Sequence, residues 1–345
     1  MKNQDLLKDL CLLPGAPGDE KLVRARVLKE IEGYVDEVRV DNMGNVIAYK
    51  KGREAKKVMA AAHMDEIAFI ITHIDDQGFA RFHTLGGFDP KTLTAQRVIV
   101  HGKEDVVGVM GSKPIHIMTP AERNKAPKIN DYFIDFGMSG EEVKALVSVG
   151  DKVTRERDML TIGNTVSTKS LDNRVAVFIL IEALKKMGQP AYDFYPVFTV
   201  QEEIGLRGAT TATRQVNPDF GFGLDTTIAN DLPGAGDHEM ITRLGKGTAI
   251  KVMDSSVVSD TRMVRFMEEV ADRHNITYQK EILTAGGTDT GPLQRAGDGA
   301  IAGCISIPTR HIHSVVEMCH KEDIQASIDL LTRCVEEMDH FDYNW

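Results

Sequence analysis

Two adjacent carboxylates, Glu202 and Glu203, directly follow the apolar, β-type run at residues 195–201. An unpaired carboxylate beside a buried strand is costly, so packing alone does not account for this pair. Ligands of open α/β sheets bind outside the carboxyl ends of the strands, and the pair therefore predicts acids that face a crevice and a cation. The alternative is that both residues open the next helix, whose positive end favours carboxylates.

Bulk properties place the chain among soluble globular proteins. Its 345 residues predict two domains, and 42% apolar with 27% charged residues can build a sizeable core. The formal net charge of -10 argues against a nucleic-acid or anionic-membrane partner. The N-terminus lacks the apolar run of a signal peptide, and no apolar run is long enough to span a membrane. The four cysteines show no Cys-x-x-Cys spacing, and we expect a reducing, cytoplasmic environment.

A second strand end carries polar residues. Residues 58–62 form a short apolar run typical of a strand buried on both faces, and His63, Met64 and Asp65 follow it. In one interpretation His63 binds a metal through one ring nitrogen, and Asp65 accepts a hydrogen bond from the other. In the other, His63 is an ordinary, hydrogen-bonded histidine.

The middle of the chain has a different sequence pattern. Short β-type runs separated by turns occur at residues 67–74, 79–82, 98–101, 106–110 and 132–136. One clear helix is predicted there, with Ser139 and Glu142 in capping-box spacing, and residues 119–128 read as an exposed loop. We therefore expect a small β-rich domain at residues 71–164, inserted into a catalytic domain made of residues 1–70 and 165–345.

The remainder alternates helices and strands, which predicts an α/β fold with a doubly wound, mostly parallel sheet. Asp19 is the predicted N-cap of an early helix, and Asp172 lies at the mouth of an apolar helix over 171–186. Asp225 is predicted to end a strand over 220–224, and the last strand, over 300–307, leads to a loop that contains His311 and His313. Further predicted elements are a hairpin over 35–49, helices over 206–216 and 260–274, strands over 249–253 and 278–283, and an amphipathic terminal helix.

Several potential ligands thus fall at strand ends or helix mouths of one α/β unit. Two imidazoles and several carboxylates form a borderline N/O set that suits zinc, cobalt or manganese better than calcium. A carboxylate can bridge two metals, and two-metal sites activate water and polarise a carbonyl. The residues concerned are His63, Asp172, Glu202, Glu203, Asp225 and His313.

This ordered set resembles the dinuclear metallo-aminopeptidases, above all the glutamyl and deblocking aminopeptidase family that includes the tetrahedral TET peptidases. The matching motifs are His63-Met64-Asp65-Glu66-Ile67, Leu171-Asp172-Asn173-Arg174, Val200-Gln201-Glu202-Glu203-Ile204-Gly205, Gly223-Leu224-Asp225, Gly286-Gly287-Thr288-Asp289 and Arg310-His311-Ile312-His313-Ser314. Related zinc exopeptidases share this ligand order. The position of the insert, between His63 and Asp172, matches the TET-like branch.

The resemblance implies roles for these positions. Asp172 would bridge two divalent metals, zinc or cobalt above all and manganese as a further option. His63 and Asp225 would complete one metal site, and Glu203 and His313 the other.

The two remaining roles concern acid–base chemistry and orientation. Glu202 would be the general base, and Asp65 would orient His63. The choice of His313 over His311 rests on the family pattern.

The implied function is metal-dependent removal of N-terminal residues from short peptides by a homo-oligomer of up to twelve subunits. Ala68 and Val315-Val316 depart from the family pattern without removing a ligand. A glycoside hydrolase stays open as an alternative, because members of this family have been labelled cellulases. A non-catalytic relative that serves as a binding or assembly module is the other.

Overall fold

A computed structural model describes residues 2–344, so Met1 and Trp345, the ends of the predicted catalytic domain, lie outside the described residues. The strands are β1 (Glu37–Val40), β2 (Val46–Tyr49), β3 (Glu54–His63), β4 (Ala68–Ile74), β5 (Phe79–Leu85), β6 (Arg97–His101), β7 (Asp105–Ser112), β8 (Tyr132–Asp135), β9 (Lys152–Arg155), β10 (Leu160–Ile162), β11 (Thr165–Thr168), β12 (Tyr192–Thr199), β13 (Phe220–Ile228), β14 (Thr248–Met253), β15 (Tyr278–Ile282), β16 (Ile301–Arg310) and β17 (Glu317–His320). The helices are α1 (Gln4–Leu12), α2 (Lys21–Ile31), α3 (Pro120–Arg123), α4 (Gly140–Leu146), α5 (Leu171–Lys186), α6 (Arg207–Val216), α7 (Thr261–Arg273), α8 (Thr290–Gln294) and α9 (Lys321–Glu337).

Eleven of these strands form one mixed sheet, in the order β1-β2-β12-β3-β13-β16-β17-β11-β10, with β14 and β15 branching from β16. The four central strands, β12, β3, β13 and β16, are parallel, whereas most of the flanking pairings are antiparallel. The predicted α/β class is confirmed, and the parallel part of the predicted doubly wound sheet is its four central strands. The carboxyl ends of the parallel strands meet at one edge, where polar loops converge.

Helices cover both faces of the sheet. Val58, Ala60 and Ala62 of β3 pack into the core formed with α1, α2, α5, α7 and α9. Met59 and Ala61 point the other way and pack against residues of α6 and α8. Because successive side chains of a strand alternate between its faces, this apolar run fills two cores at once. Helix α5 is buried along most of its length, as its nearly continuous apolar sequence predicts.

The remaining six strands close into a barrel in the order β4-β5-β8-β7-β6-β9. Its core is apolar and separate from those of the sheet, and β7 alternates between exposed and buried residues. In this closed order each of the six strands pairs with two neighbours. The barrel strands begin at Ala68 and end at Arg155, while β10 and β11 join the large sheet. The domain boundaries at residues 71 and 164 remain a prediction.

Three local predictions need correction. Helix α2 begins at Lys21 with Glu20 at the N-cap position, and Asp19 is not the cap. Strand β13 continues to Ile228, because it pairs with β16 throughout, so Asp225 lies inside the strand. The exposed segment 119–128 contains the short helix α3, which a Thr119 capping box starts.

Candidate active site

The polar residues singled out in the sequence converge at the carboxyl edge of the central strands. His63 is the last residue of β3, which lies beside β12 with Thr199 opposite His63. Glu202 and Glu203 follow β12, and Gln201 before them has a φ of 54°. Such a left-handed backbone is uncommon outside glycine and marks a sharp change in chain direction.

The first cluster consists of His63, Asp172 and Asp225. Each offers one ligand atom, and these atoms lie within 4.8 Å of one another. His63 Nε2 lies 3.3 Å from Asp172 Oδ1 and 3.8 Å from Asp225 Oδ1. Asp172 comes from the start of α5, where its backbone and that of Asn173 are not yet helical. Asn173 donates a hydrogen bond of 2.8 Å to the carbonyl of Leu224 and so ties this turn to β13 beside Asp225.

The second cluster shares Asp172 with the first and adds Glu203 and His313, again within 4.8 Å. His313 Nε2 lies 3.4 Å from Asp172 Oδ2 and 3.6 Å from Glu203 Oε2. The two oxygens of Asp172 therefore face different histidines. His313 has a φ of 61° and lies between β16 and β17. His311, the fallback candidate, is exposed and belongs to neither cluster.

Asp65 contacts both the glutamate pair and His63. Its carboxylate accepts hydrogen bonds from the backbone N–H groups of Glu202 (3.0 Å) and Glu203 (3.1 Å). His63 Nδ1 lies 3.1 Å from the Asp65 carbonyl oxygen and 3.4 Å from a carboxylate oxygen. The shorter contact of the His63 ring is thus with the backbone carbonyl of Asp65. The Asp65 carboxylate mainly accepts the hydrogen bonds of the Glu202 and Glu203 backbone amides.

Glu317 is a site residue that the sequence analysis missed. Its carboxylate, 1% exposed, accepts hydrogen bonds from the backbone N–H groups of His313 (2.8 Å) and Asp172 (3.0 Å). Arg155, from barrel strand β9, donates a bond of 3.2 Å to the His313 carbonyl. Glu317 therefore holds Asp172, which the two clusters share, and Glu317 and Arg155 together hold His313 of the second cluster. The only sequence signal was a glutamate shortly after the His-x-His segment, which by itself distinguishes no role.

The protonation of the clusters indicates an excess of negative charge. Burial and the neighbouring Asp172 raise the pKa of Glu203 to about 8, and burial raises the pKa of Glu202 well above its ordinary value. Although burial opposes it, the hydrogen bond to Asp172 and the charge of Glu203 raise the pKa of His313 to about 9. These directions show that the clusters concentrate negative charge, which bound cations would offset.

The residues fit a pair of divalent cations. Glu203 Oε1 and Asp172 Oδ1 are buried and accept no hydrogen bond of good geometry, although His63 Nε2 lies 3.3 Å from Asp172 Oδ1. Buried carboxylate oxygens ordinarily have partners. Each cluster combines one imidazole with two carboxylates, a donor set that suits zinc, cobalt or manganese. The unmatched oxygens and the excess of negative charge are both relieved by cations at these positions.

A cavity of about 480 Å³ opens beside the clusters. The loop that contains Gly286, Gly287 and Thr288 lines it, as does Glu202, which belongs to neither cluster. Asp289, the last residue of that loop motif, is instead buried and accepts a hydrogen bond of 2.5 Å from Thr199. Glu202 Oε2 lies 3.7 Å from His63 Nε2, so its carboxylate faces both the first cluster and the cavity.

Comparison with known proteins decides the family. The family model described as M42 glutamyl aminopeptidase matches residues 44–330. The chain belongs to the M42 family of aminopeptidases. It is therefore a peptidase in a metal-dependent family, which favours hydrolysis of peptide bonds over the glycosidase and binding-module alternatives.

Relatives of this M42 peptidase are similar to it in sequence or structure over nearly its whole length. A lysyl aminopeptidase of Pyrococcus furiosus is 33% identical over 356 residues, which cover 99% of each chain. The structure of a TET aminopeptidase from Thaumarchaeota archaeon SCGC AB-539-E09 is 36% identical, with a TM-score of 0.95 and coverage of 98% and 96%. The Pyrococcus horikoshii TET1 peptidase, whose structure is described as assembling into a tetrahedron or a large octahedral shell, is 31% identical, with a TM-score of 0.87 and coverage of 97% and 99%.

The two departures from the family pattern lie next to the site without entering it. Ala68 is buried at the start of β4, where it pairs with Leu85. Val315 is buried, whereas Val316 is 45% exposed. Neither is part of a ligand cluster of the M42 peptidase.

Proposed function

We propose that this M42 peptidase removes single residues from the free amino end of short peptides with two divalent cations per chain. The supporting observation is the position of Asp172, whose Oδ1 lies 3.3 Å from His63 and whose Oδ2 lies 3.4 Å from His313. A carboxylate that faces one histidine with each oxygen is suited to bridge two cations.

In this proposal His63, Asp172 and Asp225 hold one cation, and Asp172, Glu203 and His313 hold the other. Zinc and cobalt suit this donor set best, and manganese is a third option. Bound cations supply Lewis acidity for the scissile carbonyl and make a water molecule easier to deprotonate. Asp65 contributes by fixing the backbone of the glutamate pair, through its bonds of 3.0 and 3.1 Å.

Glu202 acts as the general base. Its carboxylate is 9% exposed, lines the cavity and is not needed to complete either cluster. Burial raises its pKa, and the charge of Asp225 adds to this against the opposing effect of His63. A carboxylate with a raised pKa is suited to take a proton from the attacking water and return it to the leaving amine.

The wider context is also part of the proposal. We expect a homo-oligomer, up to a dodecamer, that assembles through the barrel and restricts access to the sites. Cys11, Cys304, Cys319 and Cys334 are buried, free thiols, which supports a reducing cytoplasm. Of the helices in residues 2–344, none is long and apolar enough to cross a membrane.

Metal analysis tests the assignment of the ligands. Elemental analysis after dialysis is expected to find two divalent ions per chain in the wild-type protein. Asp172→Asn is expected to lose both ions and Asp225→Asn one. Asp76→Asn, at a side chain that is 99% exposed, is the matched control and is expected to retain both. A trace of metal only in the wild type, or full retention by Asp172→Asn, would refute the proposed site.

A further inference from the structure

The cavity beside the clusters has one deep end. Lys251, 1% exposed, and Thr227, also 1% exposed, line this end. Ala285, Gly286 and Ile228 lie at the exposed mouth. An enzyme that releases one residue at a time must hold one side chain in a closed space, while the rest of the peptide extends toward solvent. The side chain of the first residue of such a substrate would therefore fit the deep end.

Among the described residues 2–344, Lys251 is the only lysine or arginine that lines the cavity. Two carboxylates balance the positive charge of Lys251, because its Nζ lies 2.7 Å from Glu281 Oε1 and 3.4 Å from Asp254 Oδ2. The hydroxyl of Thr227 donates a 2.6 Å bond to the same Glu281 oxygen and fixes it in place. Glu281 is fully buried, so water does not screen the pair.

Several other side chains that line the cavity are apolar. Leu206, Leu283 and Ile312 line the cavity together with Ile228 at its mouth. An uncharged aliphatic side chain would gain contacts there and would disturb no ion pair.

We propose that the Lys251–Glu281 ion pair closes the pocket for the first residue of the substrate and makes it select uncharged, aliphatic side chains over acidic and basic ones. This inference rests on the proposed function. A substrate ammonium group would face the ammonium of Lys251 in a space shielded from water. A substrate carboxylate would compete with Glu281 and Asp254 for the same cation. Either way a buried charge is left without a full partner, which is costly.

The pair allows a charge-switch experiment. Glu281→Gln keeps the size of the side chain and an acceptor for Lys251 but removes one negative charge, so the lysine becomes available to an acidic substrate. Lys251→Met keeps the length of the side chain and leaves Glu281 facing the pocket, which favours a basic substrate. The double variant Lys251→Met/Glu281→Gln removes one positive and one negative charge, so it restores the net charge of the wild-type pocket and controls for the change in shape.

The measurement is kcat/KM on leucyl, glutamyl and lysyl chromogenic substrates with cobalt-loaded protein, checked for metal content and thermal unfolding. The wild type and the double variant are expected to prefer the leucyl substrate by about tenfold or more. Glu281→Gln is expected to raise the glutamyl-to-leucyl ratio about tenfold, and Lys251→Met the lysyl-to-leucyl ratio by as much.

The outcomes separate the inference from the function on which it rests. Release of all three residues with ratios that the single variants leave unchanged, or a wild type that is fastest on a charged residue, would overturn the pocket assignment alone. No release from any substrate with a free amino group would overturn both. The wild-type preference remains decisive if a single variant fails to fold.

Discussion

Glu202 and Glu203 are neighbours in sequence but have different surroundings. Glu203 Oε2 lies 3.6 Å from His313 and belongs to a ligand cluster, whereas Glu202 belongs to none. We predict that Glu202→Gln retains its metal and loses roughly a hundredfold or more in kcat, since it removes a general base. Glu203→Gln is expected to lose metal instead. Elemental analysis and kinetics on the two purified variants check this, and the reverse pattern would exchange the two roles.

Glu20 offers a test of charge burial near the site. Burial and the charge of Asp65 raise the pKa of Glu20 to about 7. Between its ordinary value and about pH 7, the unfolded chain has released this proton while the folded chain keeps it, so the folded state loses stability as pH rises. Its Oε1 accepts N–H bonds from Gly18 (2.7 Å) and Gln201 (3.3 Å), which a glutamine oxygen can retain.

Glu20→Gln is therefore predicted to stabilise the protein, by roughly 1–3 kcal/mol more at pH 8 than at pH 5. Urea unfolding at both pH values measures this difference. Glu32→Gln, at an exposed position after the same helix, is the control for the loss of a carboxylate at the protein surface. An equal effect of Glu20→Gln at both pH values would show that Glu20 does not carry the raised pKa.

At this scale the sequence singled out the residues of both clusters, because each lies near the predicted end of a strand or at the start of a recognisable helix. It did not predict Glu317 or Arg155. Glu317 contacts Asp172 across 145 positions of the chain, and Arg155 contacts His313 across 158. Hydrogen bonds between such distant residues follow from the assembled fold and leave no local pattern.

Elements were predictable where the apolar pattern was strong. The apolar run of β3, which is buried on both faces of the sheet, and the apolar helix α5 were both recognised from sequence. Strands β9, β10, β11 and β17 were missed, since they have three or four residues each and β10 is exposed throughout. Such short segments become strands because they pair with neighbouring strands, and not because of their local propensity.

Strand β17 nevertheless supports the site through its first residue, Glu317. Glu317→Gln leaves one acceptor oxygen for two N–H donors, those of Asp172 and His313. We predict a loss of roughly 10–100-fold in metal affinity, as for other residues that orient ligands. Competition with a chromogenic chelator measures it, with Glu322→Gln as an exposed control in the following helix. Wild-type affinity in Glu317→Gln would show that this carboxylate has no part in holding the ligands.

On the scale of the whole molecule, the barrel region carries exposed apolar residues that are suited to self-association. Ile115 and Ile117 are 61% and 67% exposed, and Val107 and Val109 of β7 are 59% and 47% exposed. Neighbouring apolar residues exposed in this way are typical of interfaces.

We predict a large homo-oligomer at micromolar concentration, measured by light scattering. Ile115→Asp/Ile117→Asp is expected to give smaller species with unchanged thermal unfolding of the subunit. Leu22→Asp, at a residue 44% exposed on α2 of the catalytic unit, is the control and should assemble normally. A monomeric wild type would contradict assembly, and an unaffected double variant would place the interface elsewhere.

The central claim, that the clusters and Glu202 release residues from a free amino end, is tested most directly by one comparison. Protein stripped by a chelator and then reloaded with zinc, cobalt or manganese is given short peptides with free and with acetylated amino ends, beside a soluble cellulose derivative. We predict release of the first residue from the free peptides only, absent in the stripped protein and restored by metal. Release that persists without metal, or activity confined to the acetylated peptides or to cellulose, would contradict the account.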